Sequence, residues 1–124
     1  MTPQQLLDAA RDLMTNPRPS MRRCWQRGCA CLTRLALETG LRRYWQRHPR
    51  TASVARSPMW HQLIVLPRFL DPETARIARA AWFGLSRAAH HHTYELPPTL
   101  AELGGWHRDV TYLLSRLDPA PTSP

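Results

Sequence analysis

Apolar positions recur along this 124-residue chain in stripes at intervals of three and four, so the sequence predicts helices nearly throughout. The first stripe is Leu6, Leu7, Ala10 and Leu13. Thr2-Pro3-Gln4-Gln5 opens it, with Thr2 as N-cap, Pro3 at the first helical position and Gln5 closing a capping box. Asn16-Pro17-Arg18-Pro19 stops the pattern, which gives a first helix over about 3–15. A second stripe follows Ser20, the next N-cap candidate: Cys24, Trp25, Gly28, Cys31, Leu32, Leu35, Ala36 and Thr39 predict a helix from Met21 to about Gln46 or His48. Gly28 and Gly40 each cost roughly 1 kcal/mol relative to alanine inside it. Either marks close packing of a neighbour, and Gly40 alternatively a break.

The stretch 48–56 has no period and reads as a loop. Ser57-Pro58 then reads as an N-cap and first helical position for a short helix from Met59 to about Leu66, closed by Pro67. Ile64-Val65 leaves a lone strand as the alternative, with nothing to pair with. Asp71-Pro72-Glu73 opens the central helix, an N-cap followed by proline and an acid that the helix dipole favours. Ala78, Ala81, Trp82, Leu85, Ala89 and His92 share its stripe, which places His92 on the core side of a helix running to Pro97-Pro98. Thr99 and Glu102 form a second capping box, and Leu100, Leu103, Trp106, Val110, Leu113 and Leu114 predict a last helix to about Leu117. Residues 118–124 are proline-rich and are expected to be a disordered tail. The fold class is therefore all-α, a four- to five-helix up-and-down bundle in one domain over 1–117.

Composition refines this picture. At 43% hydrophobic, the chain supports one core and not two. Its longest aliphatic run is Leu63-Ile64-Val65-Leu66, and its first residues lack the basic-then-apolar order of a signal peptide, so a soluble cytoplasmic protein without membrane contact is expected. Cys24, Cys29 and Cys31 are odd in number and crowded on one helix, which fits a reducing compartment and small buried residues. Their C-x4-C-x-C spacing is not that of a zinc knuckle.

Net charge is +8, and all 17 basic residues are arginine. Ten of them lie between Arg18 and Arg56 against one acid, Glu38, a local excess of nine. Arg34, Glu38 and Arg42 are spaced so that this acid can pair both ways. Arg22, Arg23, Arg27, Arg42, Arg43 and Arg47 would cover much of the second helix's solvent side. Such a run is either a solvated face or a surface for nucleic acid, since guanidinium forks onto phosphate and stacks on aromatic rings.

Chemistry is densest at 82–96, where His90, His91 and His92 follow Arg87 and precede Tyr94. Three consecutive histidines on a helix point about 100° apart and cannot converge on one metal. His91 and Glu95 are four apart, yet no H-E-x-x-H pattern occurs, so neither a metal nor a cofactor is expected. Ser86 lacks a nucleophile elbow. The plain reading makes His92 a satisfied core histidine with His90 and His91 partly exposed. The other takes Arg87, His90, His91, His92 and Tyr94 together. An arginine that holds a phosphate and an imidazole that moves a proton are the two groups needed for metal-free RNA cleavage through the 2′-hydroxyl.

The order of elements, an early helix carrying Ala36-Leu37-Glu38 and a late one carrying Arg87 and His92 at R-x4-H spacing, resembles the HEPN superfamily of small helical bundles. The stretch 82–99 is also similar to a segment of small actinobacterial proteins of that bundle type. The likeness covers about 20–115 by architecture and about 18 residues by motif. It implies a homodimer in which two R-x4–6-H motifs meet in one cleft. Arg87 would bind the scissile phosphate and His92 would transfer the proton, with His91 or His90 as substitutes. At ~100° per residue, Arg87 and His92 lie ~140° apart on one helix, which favours completion by a second protomer. Ala88 departs from the polar residue that usually follows the arginine in active members. The expectation is an RNA-binding, toxin-like protein with possible endoribonuclease activity; the alternative is a non-enzymatic dimer that recognises an acidic protein partner.

Overall fold

The computed structural model describes residues 1–16, 24–90 and 96–118. The helices begin where short-range chemistry tells them to. In α1 (Pro3–Thr15) Thr2 Oγ1 accepts from the Gln5 amide at 3.1 Å, and Gln5 Oε1 accepts from the Thr2 amide at 2.9 Å. The same reciprocal box opens α5 (Leu100–Leu117), with Thr99 and Glu102 exchanging bonds of 3.1 and 3.0 Å. Asp71 caps α4 (Pro72–Ala89), accepting from the Thr74 amide at 3.0 Å and from the Thr74 hydroxyl at 2.7 Å. Each box satisfies donors that the first helical turn leaves without a partner.

The long α2 (Trp25–Gln46) carries no side-chain cap; Cys24 stands at its start, and Ser20 lies outside the described residues. The helix runs through Gly40 without a break. Between α2 and α4 the expected loop contains a 3-10 turn, Ala52–Arg56, which corrects the structureless reading of 48–56. The short helix α3 (Met59–Val65) does form, but Pro58 and not Ser57 is its cap, and no side chain caps it. Pro67 sits inside a second 3-10 turn, Leu66–Arg68. Among the described residues there is no strand, and the chain is an all-α bundle.

Contacts between named pairs give the topology. His90 lies by Arg34, Trp82 by Glu38 and Phe69 by Trp45, so α4 runs antiparallel to α2. Trp106 packs on Gly84 and Arg116 reaches Asp71, so α5 runs antiparallel to α4. His107 meets Leu7, while the residues around Thr2 share a cleft with Arg47 and Leu117, so α1 runs antiparallel to α2. Four long helices thus alternate in direction, and α3 with its two 3-10 turns spans the crossover from α2 to α4.

One core joins Leu6 and Leu7 of α1, Leu37, Leu41 and Trp45 of α2, Leu85 of α4, and Val110 and Leu113 of α5. Alanines 78, 81, 88 and 89 line the buried side of α4, so its neighbours approach closely. Burial of each large apolar side chain contributes about 1.5–3 kcal/mol. Trp45 Nε1 donates to Gln62 Oε1 at 3.1 Å, and Gln62 Nε2 donates to the Ser57 carbonyl at 2.9 Å, whereas the buried Ser86 hydroxyl has no hydrogen-bond partner among the described residues. No described helix is long and apolar enough to cross a membrane.

Candidate functional site

The central helix is shorter than its pattern. It ends at Ala89, with the His90 amide closing onto the Ser86 and Arg87 carbonyls at 3.2 Å, well before Pro97-Pro98. The helical stripe that put His92 on the core side, and the ~140° separation from Arg87, both presuppose a helix continuing through residue 92. His91, His92 and Tyr94 lie outside the described residues, as do Arg22 and Arg23. Among the described residues the buried histidine is His107, whose Nε2 lies 2.9 Å from the Leu7 carbonyl oxygen. It occupies a stripe position on α5, between Leu103 and Val110, that the sequence reading passed over.

Arg87 is exposed on the last turn of α4. It borders a cleft of about 580 Å³ lined also by Trp25, Gly84, Pro97, Glu102 and Trp106. Gly84 is required there, because a Cβ would stand 2.7 Å from the Trp106 ring. His90 faces a different neighbour. Its Nε2 is 3.3 Å from Arg34 Nη1. A guanidinium has no lone pair to offer, so Arg34 donates, His90 Nε2 accepts, and the ring proton sits on Nδ1. Among the described residues, His90 meets Arg34 of α2 and Arg87 borders the cleft shared by α2, α4 and α5, and no hydrogen bond among them joins the two to one partner.

Glu38, the one acid of the arginine-rich stretch, is occupied. Arg34 Nε lies 3.8 Å from it, and the Trp82 indole donates to it at 3.0 Å. The expected second pairing to Arg42 is absent among the described residues. Arg27, Arg42 and Arg43 are exposed and make no ion pair among the described residues. Arg47 is tied down instead, donating to the Leu117 carbonyl at 2.7 Å and pairing with Asp118 at 2.7 Å.

The cysteines divide in a way the sequence did not suggest. Cys29 is buried, and loss of hydration pushes its thiol up to about 11, with the Thr33 hydroxyl pulling the other way; such a thiol is unreactive at neutral pH. Cys24 and Cys31 are exposed, which corrects the reading of all three as core residues. No group of three histidine, cysteine or acidic side chains among the described residues could hold a metal ion.

Sequence reading missed the aromatic residues at the other end of α2. Tyr44, Arg47, His48, Arg50, Thr51 and Phe69 enclose a cleft of about 370 Å³. The signal was present in Arg43-Tyr44-Trp45-Gln46-Arg47-His48-Pro49-Arg50, where rings and arginines interleave. No protein-family model matches the chain, and neither a curated protein nor a solved structure shows similarity to it.

Proposed function

We propose that this chain is a HEPN-like helical protein that binds RNA through the arginines of α2. The observation that carries the reading is the exposure of Arg27, Arg42 and Arg43 with no carboxylate partner among the described residues, around a single acid already held by Arg34 and Trp82. Unpaired guanidinium groups on a rigid helix meet phosphate without first losing a protein partner. The cytoplasm, where RNA is at hand, is part of the same proposal.

The catalytic form of this reading uses Arg87 and His92, with His90 or His91 able to take the place of His92, and Tyr94 nearby. Arg87, exposed beside a cleft, holds the scissile phosphate. The imidazole takes the proton of the 2′-hydroxyl as its oxygen attacks the adjacent phosphorus. The bond to the 5′ oxygen breaks, that oxygen takes up the proton now held by the imidazolium, and a 2′,3′-cyclic phosphate and a 5′-hydroxyl result. A second copy of the chain would complete the site. The rival is a non-enzymatic dimer that binds an acidic protein, favoured by the exposed Trp60 and Ile64 of α3.

Purified protein incubated with RNA in EDTA separates these. Cleavage that survives chelation and is lost in Arg87→Ala and in His92→Ala supports the enzyme. Binding without cleavage leaves an RNA-binding module, in which Arg27→Glu with Arg42→Glu and Arg43→Glu lowers the salt slope by about 2–3. No RNA binding by a folded protein favours the acidic partner.

A further inference from the structure

We infer that the cleft at the C-terminal end of α2 is a pocket for one unpaired base of single-stranded RNA, stacked on Phe69 or Tyr44 with its phosphate on Arg50. This deepens the RNA-binding reading and rests on it. Three clefts among the described residues differ in charge. Those beside Arg87 and beside Arg43 are lined by Glu102 and by Asp118. The cleft formed by Tyr44, Arg47, His48, Arg50, Thr51 and Phe69 has no carboxylate in its lining.

Its aromatic walls are set by the core. Tyr44 and Phe69 each meet the buried Trp45 ring edge to face, with centroids 5.1 and 5.3 Å away and interplanar angles of 75° and 79°. Trp45 is in turn fixed by its hydrogen bond to Gln62, so the rings stand on a rigid base. Phe69 is nevertheless 47% exposed, an unusual outlay for a phenyl ring that only serves packing. Thr51 Oγ1 donates to the Trp45 carbonyl at 2.7 Å and fixes the rim. Arg47 is anchored to Leu117 and Asp118, whereas Arg50 is exposed and makes no ion pair among the described residues. At about 370 Å³ the cleft is at the small end of ligand sites, about 300–1,000 Å³, which suits one nucleotide and not a duplex. An aromatic face beside an unpaired cation is the recurring solution for single strands, because every base offers a π-face.

The test is fluorescence anisotropy with three probes of equal length: oligouridylate, an RNA duplex, and an abasic strand that keeps the phosphates. Oligouridylate should bind about tenfold more tightly than the abasic strand, as one stacked base would give. Phe69→Ala should erase that preference, Phe69→Trp should retain it, and Arg50→Gln should weaken both single strands. Equal binding of oligouridylate and the abasic strand, or indifference to Phe69→Ala, overturns the pocket. If the α2 arginine substitutions still weaken all three probes in that case, the broader RNA-binding reading stands; if no probe binds, both fall.

Discussion

The two ends of the bundle are built differently. At one end the C-termini of α2 and α5 and the N-terminus of α4 are cross-linked by polar contacts between distant parts of the chain. Trp45 bonds to Gln62, Arg47 to the Leu117 carbonyl and Asp118, and Arg116 to Asp71 at 3.0 Å. Toward the other end, Arg34 meets His90 at 3.3 Å and the Trp82 indole donates to Glu38 at 3.0 Å, and apolar surface is exposed at Leu96 and Leu100. The first end includes a buried hydrogen bond that is costly to break, Trp45 to Gln62, with more exposed contacts around it; the second includes ring-on-glycine packing with part-buried and exposed contacts. The proposed base pocket belongs to the rigid end, whereas Arg87 belongs to the open one. Base recognition, as proposed, would thus draw on preorganised walls.

The sharpest way to break this contrast is to remove one tryptophan from each end. Trp45→Ala should cost about 3–5 kcal/mol, because it leaves a cavity and strips Gln62 Oε1 of its donor. Trp25→Ala, at a half-buried ring, should cost less than half as much in urea denaturation. Equal losses would mean that the ends are alike.

A smaller difference should separate the two packed glycines. In Gly84→Ala the new methyl meets the rigid Trp106 indole, and a cost of about 1–3 kcal/mol should outweigh the gain in helix propensity. In Gly40→Ala the methyl meets the end of the Leu114 side chain, which can rotate away, so a near-neutral thermal midpoint is expected. The opposite order would show that α4 and α5 pack less firmly than α2 and α5.

The smallest effect is in acid. Bonds from the Thr74 hydroxyl and amide, and then from Arg116, hold the Asp71 carboxyl below its ordinary value of 3.8. A carboxyl depressed on folding contributes stability above its unfolded value, and that contribution disappears as the pH falls through the folded one. Wild type should therefore exceed Asp71→Asn in urea midpoint at neutral pH, and the gap should narrow below pH 3.8. A gap that persists unchanged in strong acid would show that the charge does not act there.

Local chemistry in the sequence was enough to place α1, α4 and α5 at their first residues, because Thr2, Asp71 and Thr99 satisfy backbone donors within three residues of themselves. The core stripes of α4 and α5 were equally legible, since the three-and-four spacing of apolar residues reports which side of a helix is dry. That of α2 was not: of its expected positions Ala36 alone is buried, and the dry side runs instead through Cys29, Thr33, Leu37, Leu41 and Trp45. Candidate chemistry was legible only as composition: the arginine excess, and the histidines beside Arg87.

What the tertiary structure decided was everything that joins residues far apart. The early end of α4 at Ala89, the indole of Trp82 on Glu38, the buried His107 against Leu7 and the pairing of Phe69 with Trp45 all depend on which helix lies alongside which. Periodicity specifies a face but not its neighbour. The partner that satisfies a buried imidazole or completes an aromatic wall is supplied by another helix, often tens of residues away.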